Sequence, residues 1–144
     1  MPAFPTLEVS DIAASASWYQ DALGFVDVFT FRSADRRPLL VHLRWAKGAD
    51  ILLVPERSSP NGARGRGVLL TFLEMDVDSL AARMRGRGIV VDGPTSTPWN
   101  TRDVAVVDPD GYSLRFTAPQ PQLLTGQGES IDDVARRVQG YGHE

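Results

Sequence analysis

Four side chains invite a chemical reading: Arg115, Trp99, His42 and Trp45. Arg115 lies in YSLRF, between Leu114 and Phe116, on a stretch that alternates as a central strand does. A guanidinium stays charged, so inside a domain it must be paired or solvated. Arg115 therefore calls for a partner, and an internal carboxylate would supply one. Glu8 is one such carboxylate, although its parity favours the opposite face. Trp99 sits in STPWNTR, a loop entering a strand. An indole there offers a large rigid surface for stacking, or else plugs a subunit interface. In VHLRW, a tight hairpin through AKGA pairs Leu43 with Leu52 and Trp45 with Asp50. Trp45, Leu43 and Leu52 then share one face, and His42 looks away as a structural histidine; a slip of one residue reverses this. Phe29 and Phe31 share a face of their own strand, as core or as ligand platform. Nucleophilic catalysis has no support, because there is no cysteine and neither His42 nor the terminal His143 is placed to activate a serine.

These residues need elements to hold them. Leu7 to Phe31 opens as a strand, offers Asp11 as a helix cap, and then places Ile12, Ala16, Tyr19 and Leu23 at helical spacing. Gly24 stops that helix, and Phe25 to Phe31 resumes alternation. Leu69 to Pro94 repeats the layout. It has a cap at Asp76 or Asp78, inward Leu80, Ala81 and Met84, a stop at Gly86 or Gly88, and a strand on IVV. Two further strands follow each half: PLLVHLRW and DILLVP, then RDVAVVD and YSLRFTA, the last pair joined by an Asp-Pro-Asp-Gly turn. The chain thus reads as an α+β domain of two βαβββ modules, about residues 5–56 and 67–118, linked by the loop Glu56 to Gly67. Residues 119–144 form a tail with a short helix on SIDDVARRVQG, capped by Ser130, as a solvated appendage or a packing element on a partner subunit.

Composition excludes several classes. A chain of 144 residues with ordinary apolar and charged fractions supports one domain with a real core. The net charge of −3 argues against a nucleic-acid partner, and the basic stretches at Arg36-Arg37 and GARGRG read as solvated loops. No apolar run is long enough to cross a bilayer, and MPAFPTLEV is not a signal peptide. The expectation is a cytoplasmic protein without membrane or nucleic-acid partners.

LEVSDIAASASWYQDALGF and VDGPTSTPWNTRDVAVVDPDGYSLRF, in this duplicated layout, resemble the opening and close of the vicinal oxygen chelate superfamily. That is the glyoxalase I, bleomycin-resistance and extradiol dioxygenase group. The resemblance implies two curled sheets around a pocket, helices outside them, and a homodimer whose pockets are often completed across the subunit boundary. In metal-dependent members four inward side chains chelate a divalent ion that polarises vicinal substrate oxygens. The corresponding slots here fall on Pro5 with Thr6 beside it, on Leu52, on Leu69 or Leu70, and on Arg115. Leucine has no lone pair to give, and a guanidinium repels a cation, so the resemblance implies neither metal nor other cofactor here. Bleomycin-resistance proteins carry a Pro-Trp at the position of Pro98-Trp99, where the Trp flanks the ligand groove. The implied function is stoichiometric sequestration of an aromatic or hydrophobic, antibiotic-like molecule. Trp99 and Trp45 would stack on it, with Phe29, Phe31 and His42 as further wall. Leu52 and Leu69 would form the floor, and Arg115 would meet a polar group. The alternative is a lyase, isomerase or dioxygenase with a displaced metal site or acid–base chemistry.

Overall fold

The computed structural model describes residues 3–45, 48–57 and 64–120. The expected helix on SIDDVARRVQG lies outside them. The first module runs β1 (Thr6–Val9), α1 (Ile12–Leu23), β2 (Val26–Arg32), β3 (Pro38–Trp45) and β4 (Ala49–Pro55). The second runs β5 (Leu69–Leu73), α2 (Val77–Gly86), β6 (Asp92–Ser96), β7 (Thr101–Val107) and β8 (Ser113–Pro119). Each module forms a four-stranded mixed sheet, ordered β1-β4-β3-β2 and β5-β8-β7-β6. The first and last strands of each module lie parallel, and the other neighbours are antiparallel.

The helices form where their caps direct. Asp11 accepts from the Ala14 N–H, and Gly24 ends α1 in the left-handed region at φ 81°. Ile12, Ala16, Tyr19 and Leu23 are buried, as their spacing demands. Asp76, not Asp78, caps α2, accepting from Ser79, while Leu80, Ala81 and Met84 turn inward. One expected strand moves: the apolar run Ile89–Val91 leads into β6, which forms on Asp92–Ser96 instead. Val90 is 90% exposed there, so hydrophobicity alone did not mark the strand.

Alternate residues of every inner strand enter a core shared by the two modules. Phe25 and Trp45 of the first module meet Phe72 and Phe116 of the second, with ring centroids 5.3–6.3 Å apart. Burial of such rings helps hold the modules together.

The Asp-Pro-Asp-Gly-Tyr turn adds a polar clamp. Asp108 is buried; its Oδ1 accepts from the Asp110 and Tyr112 N–H groups, and its Oδ2 accepts from the Tyr19 hydroxyl at 2.7 Å. Asp110 Oδ1 accepts from the Ser10 N–H at 2.9 Å and pairs with Arg64, while the Tyr112 hydroxyl donates to the Glu8 carbonyl at 2.8 Å. The turn that starts the Arg115 strand is therefore bolted to α1 and β1 of the other module.

Candidate functional site

The face of each sheet opposite the core is open. Strand register builds equivalent rows across these two faces. In the first sheet Thr6 pairs with Leu52, Leu52 with His42, and His42 with Phe29. In the second, Thr71 pairs with Arg115, Arg115 with Ala105, and Ala105 with Asp92. Paired residues share a face, so each row is a strip of four side chains.

The register of β3 on β4 differs from the sequence-based one by a single residue. His42 pairs with Leu52, Leu43 with Ile51 and Trp45 with Ala49. A one-residue slip exchanges the two faces. Leu43 and Trp45 therefore enter the core, Trp45 at 4% exposure among Phe25, Phe72 and Phe116. His42 comes to the open face beside Leu52. The hairpin closes through Gly48, at φ 86°, whose N–H donates to the Trp45 carbonyl. That closure leaves no room for the Trp45–Asp50 pairing.

His42 is held by charge. Its Nε2 lies 2.8 Å from Asp50 Oδ2, and Arg44 grips the same carboxylate through Nε and Nη2 at 2.8 and 2.9 Å. The Asp50 side chain is only 4% exposed. The Arg44 hydrogen bond, aided by His42 and opposed by burial, holds the Asp50 carboxyl at a pKa of about 2. The same bond pushes the Arg44 guanidinium upward. The Phe4 ring stacks over His42, with centroids 6.4 Å apart and planes 20° apart. Asp50, Arg44 and Phe4 were missed from sequence. The signal for the first two was the His-x-Arg alternation facing an acid across the hairpin.

On the second sheet, Arg115 and Trp99 line one groove of about 260 Å³, with Asp92, Thr95, Thr97, Asp103 and Ala105. Trp99 is positioned by a tight hairpin tip. Pro98 starts the turn, Asn100 adopts φ 65°, and Thr97 closes it by accepting from the Asn100 and Thr101 N–H groups. Arg115 Nε lies 3.7 Å from Asp103 Oδ2, a loose ion pair that leaves 38% of the arginine side chain exposed. Asp103 in turn accepts from the Thr117 hydroxyl at 2.6 Å. Glu8, the carboxylate suggested by sequence, shares the open face of the first sheet with Thr6 and lies nearest Arg57. A second, more apolar groove of about 530 Å³ adjoins, lined by Leu69, Val90, Asp92, Ala105, Val107 and Ser113 among others. Phe29 and Phe31 are more than half exposed on the edge strand β2, opposite His42 and Leu40.

The four positions that would hold a chelated metal in this geometry are the two parallel-paired couples, Thr6 with Leu52 and Thr71 with Arg115. Thr71, not Leu69 or Leu70, lies beside Arg115. A set of two hydroxyls, an alkyl group and a cation does not fit a divalent metal. Among the described residues no three His, Asp or Glu side chains converge elsewhere as ligands, and no helix is long and apolar enough to cross a membrane.

Two half-cups built by duplicated βαβββ modules define a class, the vicinal-oxygen-chelate fold. Residues 4–116 match the Glyoxalase/Bleomycin resistance protein/Dioxygenase superfamily, and the chain belongs to it. No curated protein sequence matches the chain. Among solved structures it resembles TnmS3, an antibiotic binding protein from Streptomyces sp. CB03234. The identity is 29% and the TM-score 0.64, over 83% of this chain and 98% of that one. It also resembles a glyoxalase/bleomycin resistance protein from the same source, at 28% identity and TM-score 0.64, over 81% and 98% of the two chains. Lactoylglutathione lyase from Agrobacterium tumefaciens shares the fold at 21% identity and TM-score 0.61, over 81% and 92%.

Proposed function

We propose that this protein binds a small aromatic or hydrophobic molecule without a metal and sequesters it stoichiometrically, as an antibiotic-binding member of its superfamily. The observation that carries the reading is the shared groove of Trp99 and Arg115. An indole and an incompletely paired guanidinium on one wall suit a planar ligand bearing an anionic or carbonyl oxygen. Leu69 and the adjoining apolar groove would supply burial, in the usual manner of small-molecule sites. The likeness to an antibiotic binding protein at 29% identity supports the class of ligand. The residues at the metal positions, above all Arg115, support binding over chelate chemistry.

The reading includes a homodimer. Both grooves on the second sheet are lined by second-module residues alone, and the apolar side chains Phe29, Phe31, Leu69, Val107 and Trp99 stand exposed. Large exposed apolar side chains on both sheets suit a contact site. A second copy, laying its first sheet over the second sheet of its partner, would cover both. Trp45 has no part in the proposed pocket, whereas Leu52, His42, Phe29 and Phe31 would form the wall brought by the other copy. The expected location is cytoplasmic.

The test combines three measurements. Metal analysis after incubation with Mn, Fe(II), Ni and Zn and desalting should leave far less than one ion per subunit. Light scattering should give the mass of a dimer. A panel of aromatic antibiotics should include members that quench tryptophan fluorescence at a ratio of one per site. One tightly held metal per subunit would overturn the reading in favour of an enzyme.

A further inference from the structure

The cluster on the first sheet has a property that its partners do not share. Arg44 spends Nε and Nη2 on Asp50, and Asp50 spends both oxygens on Arg44 and His42. The group has no net charge while the imidazole is neutral. Asp50, held ionised by Arg44, can only accept, so the proton of a neutral His42 must sit on Nε2. Nδ1 is then left with a lone pair, and no described residue donates to it. The ring is only partly buried, on the open face, with Leu52 and Phe29 on either side in the row and Phe4 stacked on it. A buried carboxylate, fixed by an arginine, thus orients one hydrogen-bond acceptor in an apolar surround.

We propose that His42, set as the Nε2–H tautomer by Asp50, is a specificity residue that accepts a hydrogen bond at Nδ1 from a hydroxyl on the aromatic ring of the ligand. The ligand class is phenolic or enolic. The apolar neighbours take the ring, and the single acceptor selects a donor on its rim. The pair of open faces then reads two groups: a neutral hydroxyl at His42 and an anionic or carbonyl oxygen at Arg115. This rests on the binding function proposed above and on the second copy that would bring His42 over the groove of Trp99 and Arg115.

Two experiments decide it. In ¹⁵N-labelled protein at pH 8, two-bond proton–nitrogen spectra of the imidazoles should show His42 with a protonated Nε2 and a bare Nδ1. The chain has two histidines, so a His42→Gln variant assigns the signal. A protonated Nδ1 in the wild type would overturn the proposal whatever the ligand. The second experiment is calorimetric titration with naphthalene, 1-naphthol and 1-naphthoate. The wild type should bind 1-naphthol about five- to tenfold more tightly than naphthalene, the range of one net hydrogen bond. His42→Phe keeps an aromatic ring and leaves Asp50 both of its bonds to Arg44, but it presents no acceptor in place of Nδ1. That variant should lose the preference for 1-naphthol while keeping the affinity for 1-naphthoate. Equal binding of naphthol and naphthalene by the wild type, beside bound naphthoate, would sink this inference and leave the binding function standing. Failure to bind any of the three would count against both.

Discussion

Replacing Tyr19 by Phe removes one hydroxyl from the junction between the two modules. Tyr19 is fully buried and donates at 2.7 Å to Asp108 Oδ2, for which no other described residue provides a donor. Burial and the neighbouring Asp108 push the phenol far above its ordinary value, so it remains a donor throughout the accessible pH range. Burial also raises the Asp108 carboxyl above its ordinary value, while the Tyr19 hydrogen bond works against that rise by favouring the ionised form. Loss of a hydrogen bond to a charged, buried acceptor costs about 1.5–3 kcal/mol. For a chain of this size that is a fall in Tm of about 5–10 °C. The pH dependence gives a sharper test. A carboxyl whose folded pKa is raised favours the fold below its unfolded value near 4, and that advantage is lost as pH rises through the folded value. Without Tyr19 the folded value moves higher still, so the ionised carboxylate at neutral pH is the costly state. The gap between wild type and Tyr19→Phe should therefore be widest at pH 7–8 and shrink toward pH 4. Urea unfolding of both proteins at pH 4, 6 and 8 measures it. A gap below about 0.5 kcal/mol, or one that does not change with pH, would refute the clamp and leave Tyr19 as packing alone.

Asp50 makes the opposite prediction. Its carboxyl is held at about 2, so its contribution is present above the ordinary value near 4 and lost as pH falls toward 2. Asp50→Asn should cost about 1–2 kcal/mol at pH 7 and progressively less in that acid window, as read by denaturant unfolding; a constant difference would show that Arg44 and His42 do not hold the charge. Trp99→Ala should weaken ligand binding about five- to hundredfold and remove most of the ligand-induced quenching, an effect worth about 1–3 kcal/mol for one stacked ring. Unchanged affinity would take Trp99 out of the site. Arg115→Leu should weaken anionic ligands at least tenfold while leaving neutral ones within about twofold. An equal loss for both would make its pairing with Asp103 a structural one.

Much of the fold was legible because it is written in local chemistry. Asp11, Gly24 and the spacing of Ile12, Ala16, Tyr19 and Leu23 specify α1 without reference to anything distant. The duplicated order of strands and helix was visible in the two halves, and so was the turn ahead of Arg115. Trp99 and Arg115 were singled out from sequence, and the fold brings them to one groove. Apolar patterning failed at β6, where Ile89–Val91 is the more hydrophobic run but Asp92–Ser96 finds the free edge of β7.

What the sequence could not decide was which face each strand presents. A strand has a period of two, so the alternation in VHLRW fits either orientation equally well. The closure of the hairpin at Gly48 chose one, sending Trp45 to the aromatic core and His42 to the open face. The partner of Arg115 was equally a tertiary matter. Glu8 and Asp103 are both plausible acids in a list of residues, but only the register of β7 on β8 brings Asp103 within reach. Helix boundaries and the duplicated plan came from interactions between near neighbours. The candidate site came from the register of neighbouring strands, which a single turn residue can shift.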